Sequence, residues 1–511
     1  MEKYDIAVIG SGMGGSACAT VLAKLGYTVL MLERGSHPRF AIGESATPLM
    51  SKKIRYLGEA YGIPEFDELS TYDKIKKSGN AMLCGPKELF HYFVHKAGQV
   101  TPDQFGTVPE VIVQTPEIDV QYFRADSDKY FVDVSQRYGV TYLDHTSVED
   151  IEFSDDGVSI KCLRNQQPLD FFCDFVIDGT GFNSIIGNKF NLKIQGDQLA
   201  TPLKSRSIFT HFRDIGDFEE VLKASPSFVD RSPVPRCRAT QHHCFEGGWL
   251  WFIPFDDGVT SVGINLDMDL FPMNTKDASE EFWEIVSRYP IVHELLKGRE
   301  VVRPFVKTGR LQFLNEQMVG DRWAMLPASA YGLDAWFSTG LAVSFIAIHR
   351  LAEILHNDVF PKRRFERNVL INYEEALKKE FNHVSKMVHG IYKSFKHFDV
   401  FKHYGFLCFM GSEHYLEHGG IYRGMDMDFL LLSAGDPAFV EKFDAVYSKV
   451  IEYSTLDAVP ETEIDALNIF IREDMAPYNF RGFGRPEMHG VHPRRVMDET
   501  KIRAKVGLAV S

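Results

Sequence analysis

No run of roughly 18 apolar residues occurs in this 511-residue chain, so no membrane-spanning helix is expected. Basic residues are outnumbered: 56 Lys and Arg face 70 Asp and Glu, a formal charge of −14. A chain so acidic offers no cationic face to a phosphate backbone, which argues against a nucleic-acid partner. Cysteine is scarce. The seven are scattered with no CxxC pair, which excludes a disulfide framework and a thiolate metal site and points to a reducing, cytoplasmic setting. The first apolar stretch has neither a basic leader nor a cleavage site, so it reads as structure and not as a targeting signal. Internal repeats and low-complexity linkers are absent as well. Tryptophan is rare, at five residues, and two of the five stand two apart at 249 and 251.

The chain opens on a nucleotide cradle. Residues 4–9 (YDIAVI) form an apolar run of the length of one buried strand. Gly10, Gly12 and Gly15 follow as GxGxxG, then a helical stretch to about Lys24, a second apolar run over 27–32 and an acid, Glu33. The three glycines differ in purpose. Gly10 permits a tight turn, Gly12 lets backbone approach a pyrophosphate closely, and Gly15 lets helix pack closely on strand. The phosphates belong at the helix N-terminus, where free N–H groups and the helix dipole favour an anion, and Glu33 is placed to accept hydrogen bonds from ribose hydroxyls. A second return to the nucleotide is signalled at 176–181, an apolar strand running into Asp178-Gly179-Thr180-Gly181. No second GxGxxG unit for a nicotinamide cofactor follows.

Two segments carry a family resemblance. Residues 248–254 read Gly-Trp-Leu-Trp-Phe-Ile-Pro, similar to the Gly-Trp-x-Trp-x-Ile-Pro signature of the flavin-dependent halogenases. Residues 334–340 (Asp-Ala-Trp-Phe-Ser-Thr-Gly) resemble that family's acid-Pro-Leu-x-Ser-x-Gly stretch, with Ala335 and Trp336 in place of Pro and Leu. Arg39 to Ser45 and Asp178-Gly179 resemble FAD-contacting segments of flavin monooxygenases and halogenases. The tail, with Pro477-Tyr478-Asn479, is similar only loosely. Trp249 and Trp251 alternate on a strand and therefore face one side, forming an apolar wall.

The resemblance implies FAD, used as FADH2, bound through Gly10, Gly12, Gly15, Glu33, Arg39, Asp178 and Gly179. It implies a chloride or bromide ion held by Ser338, Thr339 and Gly340, whose backbone donors form an anion nest. In the family the tryptophan wall keeps substrate away from the flavin hydroperoxide, and hypohalous acid travels to a lysine beside the substrate. Two lysines compete for that place, Lys77 in Lys-Ser-Gly and Lys87 in Cys-Gly-Pro-Lys-Glu-Leu-Phe. The expected activity is halogenation of an electron-rich aromatic or pyrrole-type substrate, free or tethered to a carrier protein, with a separate flavin reductase as partner. A flavin monooxygenase is the alternative, although Pro327-Ala328-Ser329 stands where aromatic hydroxylases carry Gly-Asp-Ala. An inactive flavin-fold homologue is the other.

The expected fold is α/β: an FAD-binding Rossmann-type core, an antiparallel substrate sheet and a helical C-terminal region. By residue, 1–200 and 300–360 form a discontinuous FAD-binding unit. It includes a hairpin over 79–94 turned by Gly85-Pro86-Lys87. Residues 200–300 form the substrate-side sheet and 361–511 a helical cap. His414-Tyr415-Leu416-Glu417-His418 matches an inverted zinc-hydrolase pattern, but Gly419-Gly420 ends the helix at once and no metal site is expected.

Overall fold

The computed structural model describes residues 2–100, 110–225, 230–486 and 491–508. Its first layer is a sheet whose parallel strands are Trp323–Met325, Gln167–Asp178, Glu2–Ile9, Val29–Leu32 and Thr141–Leu143, in that spatial order. These strands are buried on both faces, as a sheet covered by helices requires. Register aligns their carboxyl ends: Met325 pairs with Asp178, Asp178 with Ile9, Ile9 with Leu32, and Leu32 with Leu143. The segments that leave this one edge are Gly10, Glu33, Gly179 and Leu326. In open α/β sheets ligands bind at that edge. Helix Met13–Lys24 packs against helices Arg124–Arg137 and Gly340–Ile354.

The second layer is a nine-stranded sheet. Ser205–Arg213, Val259–Asp267, Gly248–Pro254 and Ala239–Phe245 form its antiparallel heart, and it continues into Cys84–Val94 and Glu110–Tyr122. Alternation sorts its side chains. Trp249, Trp251 and Ile253 join the main core, while Leu250 and Phe252 join a separate apolar cluster on the other face, under the short helices 278–296. The C-terminal helices Ile371–Ser394 and Phe398–Glu417 cover the tryptophan face.

The expected hairpin over 79–94 is not formed. Cys84–Val94 is one continuous strand, and its antiparallel partner is Glu110–Tyr122, well downstream. Gly85 and Pro86, read from sequence as turn residues, have other reasons to be there. A methyl group on Gly85 would stand 2.2 Å from the Pro254 carbonyl oxygen, so the site demands a residue without a side chain. Pro86 lies immediately before a β-bulge, where the register slips between Lys87 and Leu89. The Thr115 hydroxyl closes the bulge by donating to the Lys87 and Glu88 carbonyls at 3.2 and 3.0 Å.

Candidate active site

The nucleotide cradle is built by close backbone contacts. Gly10 has φ +100, and a methyl group on it would lie 2.4 Å from the Gly179 carbonyl oxygen; one on Gly15 would lie 2.0 Å from that of Gly10. The turn, the second return strand and the helix are thus pressed together. Gly12 differs. A methyl group there meets nothing nearer than Arg39 Nη2 and Asp128 Oδ2, both at 3.8 Å, so open space stands in front of it. Gly12 is the N-cap of helix Met13–Lys24, with no side-chain cap and no acid in the first turn. An uncapped helix end with open space and an arginine beside it suits a pyrophosphate.

Glu33 follows the second strand and is almost fully buried. It accepts from the Ser11 N–H at 3.2 Å, the Ser11 hydroxyl at 3.1 Å and the Gly35 N–H at 2.9 Å, and pairs with Arg39 at 3.3 Å. Burial opposes its charge, but the Gly35 N–H, Arg39 and Ser11 outweigh it and hold the carboxyl below its ordinary value. An ionised carboxylate retains acceptor capacity for a ribose hydroxyl. Asp178 ends the Gln167–Asp178 strand and is fully buried. Its oxygens are taken by the Thr180 N–H and hydroxyl (3.0 and 2.7 Å) and the Ile186 N–H (2.9 Å). It braces the Gly179–Gly181 turn. Sequence reading missed Arg124. Its guanidinium grips Asp128 at 2.7 and 3.0 Å and donates to the Ile42 and Gly43 carbonyls, which anchors segment 39–45. An Arg and an Asp four apart on a helix are the only trace of this in the sequence, and such pairs are common on helix surfaces. The cradle therefore fits FAD.

Residues 44–46 add to the second sheet as a short extra strand: Tyr122 N–H donates to the Glu44 carbonyl at 2.6 Å and Ala46 N–H to that of Val120 at 2.9 Å. This brings Ser45 to Lys87. The Lys87 ammonium donates to the Ser45 hydroxyl and the Ala46 carbonyl, each at 2.7 Å, and lies 3.9 Å from the centre of the Phe90 ring. The register slip beside Lys87 comes from the partner strand, where residues 115–118 stand opposite Glu88 alone. Lys87 is fully buried. Burial pushes its pKa down to about 7, against the opposing pull of Asp119. Asp119 is its cross-strand partner, is equally buried, and accepts from the Ser51 hydroxyl at 2.5 Å. Burial raises the Asp119 pKa, which Ser51 and Lys87 only partly offset.

Lys77 is elsewhere. It sits exposed in the last turn of helix Tyr72–Ser78, a position where positive charge complements the helix dipole. Of the two lysine candidates, Lys87 is the one set behind the chamber, against its lining residue Phe90. That chamber lies between the second sheet and helix Phe398–Glu417. Phe90, Tyr92, Phe337, Thr339, Phe409 and Ser412 are among its walls. Arg481 and Glu413, 2.9 Å apart, are also in its lining.

Trp249 and Trp251 face the same side, ring centres 5.9 Å apart. Trp336 meets Trp249 edge-on at 5.0 Å and packs on Tyr92, Phe395 and Phe401. Next to it, Ser338 is in the left-handed region at φ +51, and Thr339 caps helix Gly340–Ile354 without a side-chain bond. The Ser338 N–H donates to the Ala335 carbonyl at 2.9 Å, which leaves the Thr339 and Gly340 N–H groups as the candidate donors of this helix start. His414 and His418 of the zinc-like pattern serve structure: His414 Nδ1 lies 3.0 Å from the Ser433 hydroxyl and Glu417 pairs with Arg495.

Comparison with known proteins agrees with this arrangement. The tryptophan halogenase family model matches residues 118–401, and a NAD(P)-binding Rossmann-like model matches residues 8–50. Tetracycline 7-halogenase of Kitasatospora aureofaciens is 31% identical over 417 residues, 78% of this chain and 71% of that protein. Monodechloroaminopyrrolnitrin halogenase of Pseudomonas fluorescens is 32% identical over 425 residues, 80% and 71% of the two chains. The crystal structure of halogenase PltM in complex with phloroglucinol and FAD superposes with a TM-score of 0.85 at 28% identity, over 97% of this chain and 100% of that one. With its Rossmann cradle, paired tryptophans and buried lysine, this chain belongs to the tryptophan halogenase family and is a flavin-dependent halogenase.

Proposed function

We propose that the chain halogenates a compact, electron-rich aromatic or pyrrole ring held in the chamber beside Lys87, and that Lys87 is the residue that receives the halogen. The observation that carries this reading is the fully buried amine, fixed by Ser45 and Ala46 against the chamber wall. Bound FAD, when reduced, supplies with O2 the oxidation of chloride or bromide to hypohalous acid. The Ser338–Gly340 segment offers the halide the Thr339 and Gly340 backbone donors without a fixed cation. The Trp249–Trp251 wall separates that region from the ring to be modified and limits water. At Lys87 a neutral amine and hypohalous acid give an N-haloamine and water. Transfer of the halogen to carbon releases a proton from the ring and restores the amine. Burial serves this step, because a desolvated lysine loses its proton readily.

Several relatives indicate the substrate class. Their names specify tetracycline, aminopyrrolnitrin and carrier-bound pyrrole, and PltM holds phloroglucinol. A separate reductase supplies the reduced flavin, since only one nucleotide unit is recognisable. All seven cysteines are free, which supports a cytoplasmic location, and among the described residues no helix is long and apolar enough to cross a membrane.

The test is a pH profile of single-turnover bromination, with chemically reduced FAD and a panel of free phenols, indoles and pyrroles. If the neutral Lys87 amine is the working form, the rate rises with pH through about 7. Asp119→Asn removes the carboxylate that favours the ammonium, so the rising limb moves to lower pH by about one unit. A limb that stays in place or a rate that falls across that range contradicts the reading.

A further inference from the structure

We propose that Tyr392, on the C-terminal helix Ile371–Ser394, is a positioning residue that ties the tryptophan wall to the halide-binding loop through Asp334. The inference rests on the reading of Ser338–Gly340 as the halide site. The Tyr392 hydroxyl accepts the Trp249 indole N–H at 3.1 Å and donates to Asp334 Oδ2 at 2.9 Å. The same oxygen accepts the Ser205 hydroxyl at 2.6 Å, while Oδ1 accepts the Trp336 backbone N–H at 3.0 Å. Ser205 is itself fixed by Gln312, which bonds both its N–H and its hydroxyl at 2.9 Å. One carboxylate thus holds the start of the loop that ends in Ser338–Gly340, and through Tyr392 it holds the indole that faces it.

Every member of this chain is buried. A buried donor or acceptor that loses its partner carries the full cost of its desolvation, so each orientation is enforced. The geometry has a direct mechanical consequence. Trp249 and Trp336 meet edge-on at 5.0 Å, one belonging to the wall and the other to the loop. Asp334 sets both, the first through Tyr392 and the second through its backbone. Removing the Tyr392 hydroxyl takes a partner from the Trp249 indole and a donor from Asp334 Oδ2, which loosens both. The loop then loosens next to Ser338, whose left-handed backbone already requires support from its surroundings. The C-terminal region is therefore part of the halide machinery as well as a cover for the chamber.

Tyr392→Phe keeps the ring and deletes only the hydroxyl. The bromide KM is expected to rise about tenfold, with kcat at saturating bromide within about twofold of native. Halogenated product per FADH2 consumed falls at low bromide. In flavin-free protein, quenching of tryptophan emission by bromide shifts to higher bromide concentration. Asp334→Asn gives the same pattern, and the double variant is no worse than the more damaging single one, because both break one chain. If Tyr392→Phe does not fold, Ser205→Ala strips the other donor from the same oxygen and carries the same expectation for bromide KM. An unchanged bromide KM, a loss of kcat alone, or additive effects in the double variant overturns the proposal. Absence of any bromide dependence in the native enzyme is a different result, which overturns the halide-site reading beneath it.

Discussion

Lys87→Met is expected to lower halogenated product by about a thousandfold, the range for loss of a positioned reactive group, while oxidation of reduced flavin continues at the native rate. Lys87 is the buried amine at the chamber wall, and hypohalous acid released without it meets substrate unselectively. Met keeps the volume of the side chain but leaves Asp119 buried without its counter-charge and the Ala46 carbonyl without that donor, so the variant is expected to fold and to melt below the native protein. The Ser45 hydroxyl then turns to its other neighbour, Thr240, at 2.8 Å. Stopped-flow absorbance follows the flavin and mass spectrometry follows the product, so the two steps are read separately. Lys77→Ala is the matched control, and its exposed position predicts native turnover. Native halogenation by Lys87→Met would remove Lys87 from the mechanism.

The second large effect concerns the cradle. Gly12→Val is expected to weaken FAD binding by about a hundredfold, because its branched carbons fill the space a pyrophosphate needs at the helix end. The flavin-free protein should melt as the native one does, since a first carbon at Gly12 meets no atom within 3.8 Å. Gly15→Ala should behave in the opposite way. Its methyl group would stand 2.0 Å from the Gly10 carbonyl oxygen, so the flavin-free protein itself loses stability. Thermal melts with and without FAD distinguish the two, as ligand-induced stabilisation scales with affinity. Native FAD affinity in Gly12→Val, by fluorescence titration, would contradict the assignment of the cradle.

Much of this architecture is legible in local pattern. The strand, glycines, helix, strand and acid of residues 4–33 are consecutive, so their geometry follows from short-range rules. The facing of Trp249 and Trp251 follows from the two-residue period of a strand. Lys87 is harder to place. Gly-Pro-Lys reads as a turn, yet the chain stays extended because Pro254 backbone packs against Gly85 and Thr115 closes a bulge. No periodicity announces the slip in pairing that sets residues 115–118 of the partner strand opposite Glu88. The partners that tune the site lie farther still. Asp119 is 32 positions from Lys87 and meets it only through strand pairing; Tyr392 is 143 from Trp249 and meets it only when the C-terminal helix docks. Neither residue has a motif around it. Asp178 shows the reverse: its motif is plain in the sequence, and the hydrogen bonds that it accepts brace the turn that follows it.

The most direct test is to omit halide. Purified enzyme with reduced FAD, O2 and a phenol should give brominated product only when bromide is present, one bromide incorporated for each product formed, and hydrogen peroxide without ring oxidation when bromide is absent. Oxygenated product forming at full rate in halide-free buffer would contradict the account and identify the site as a monooxygenase.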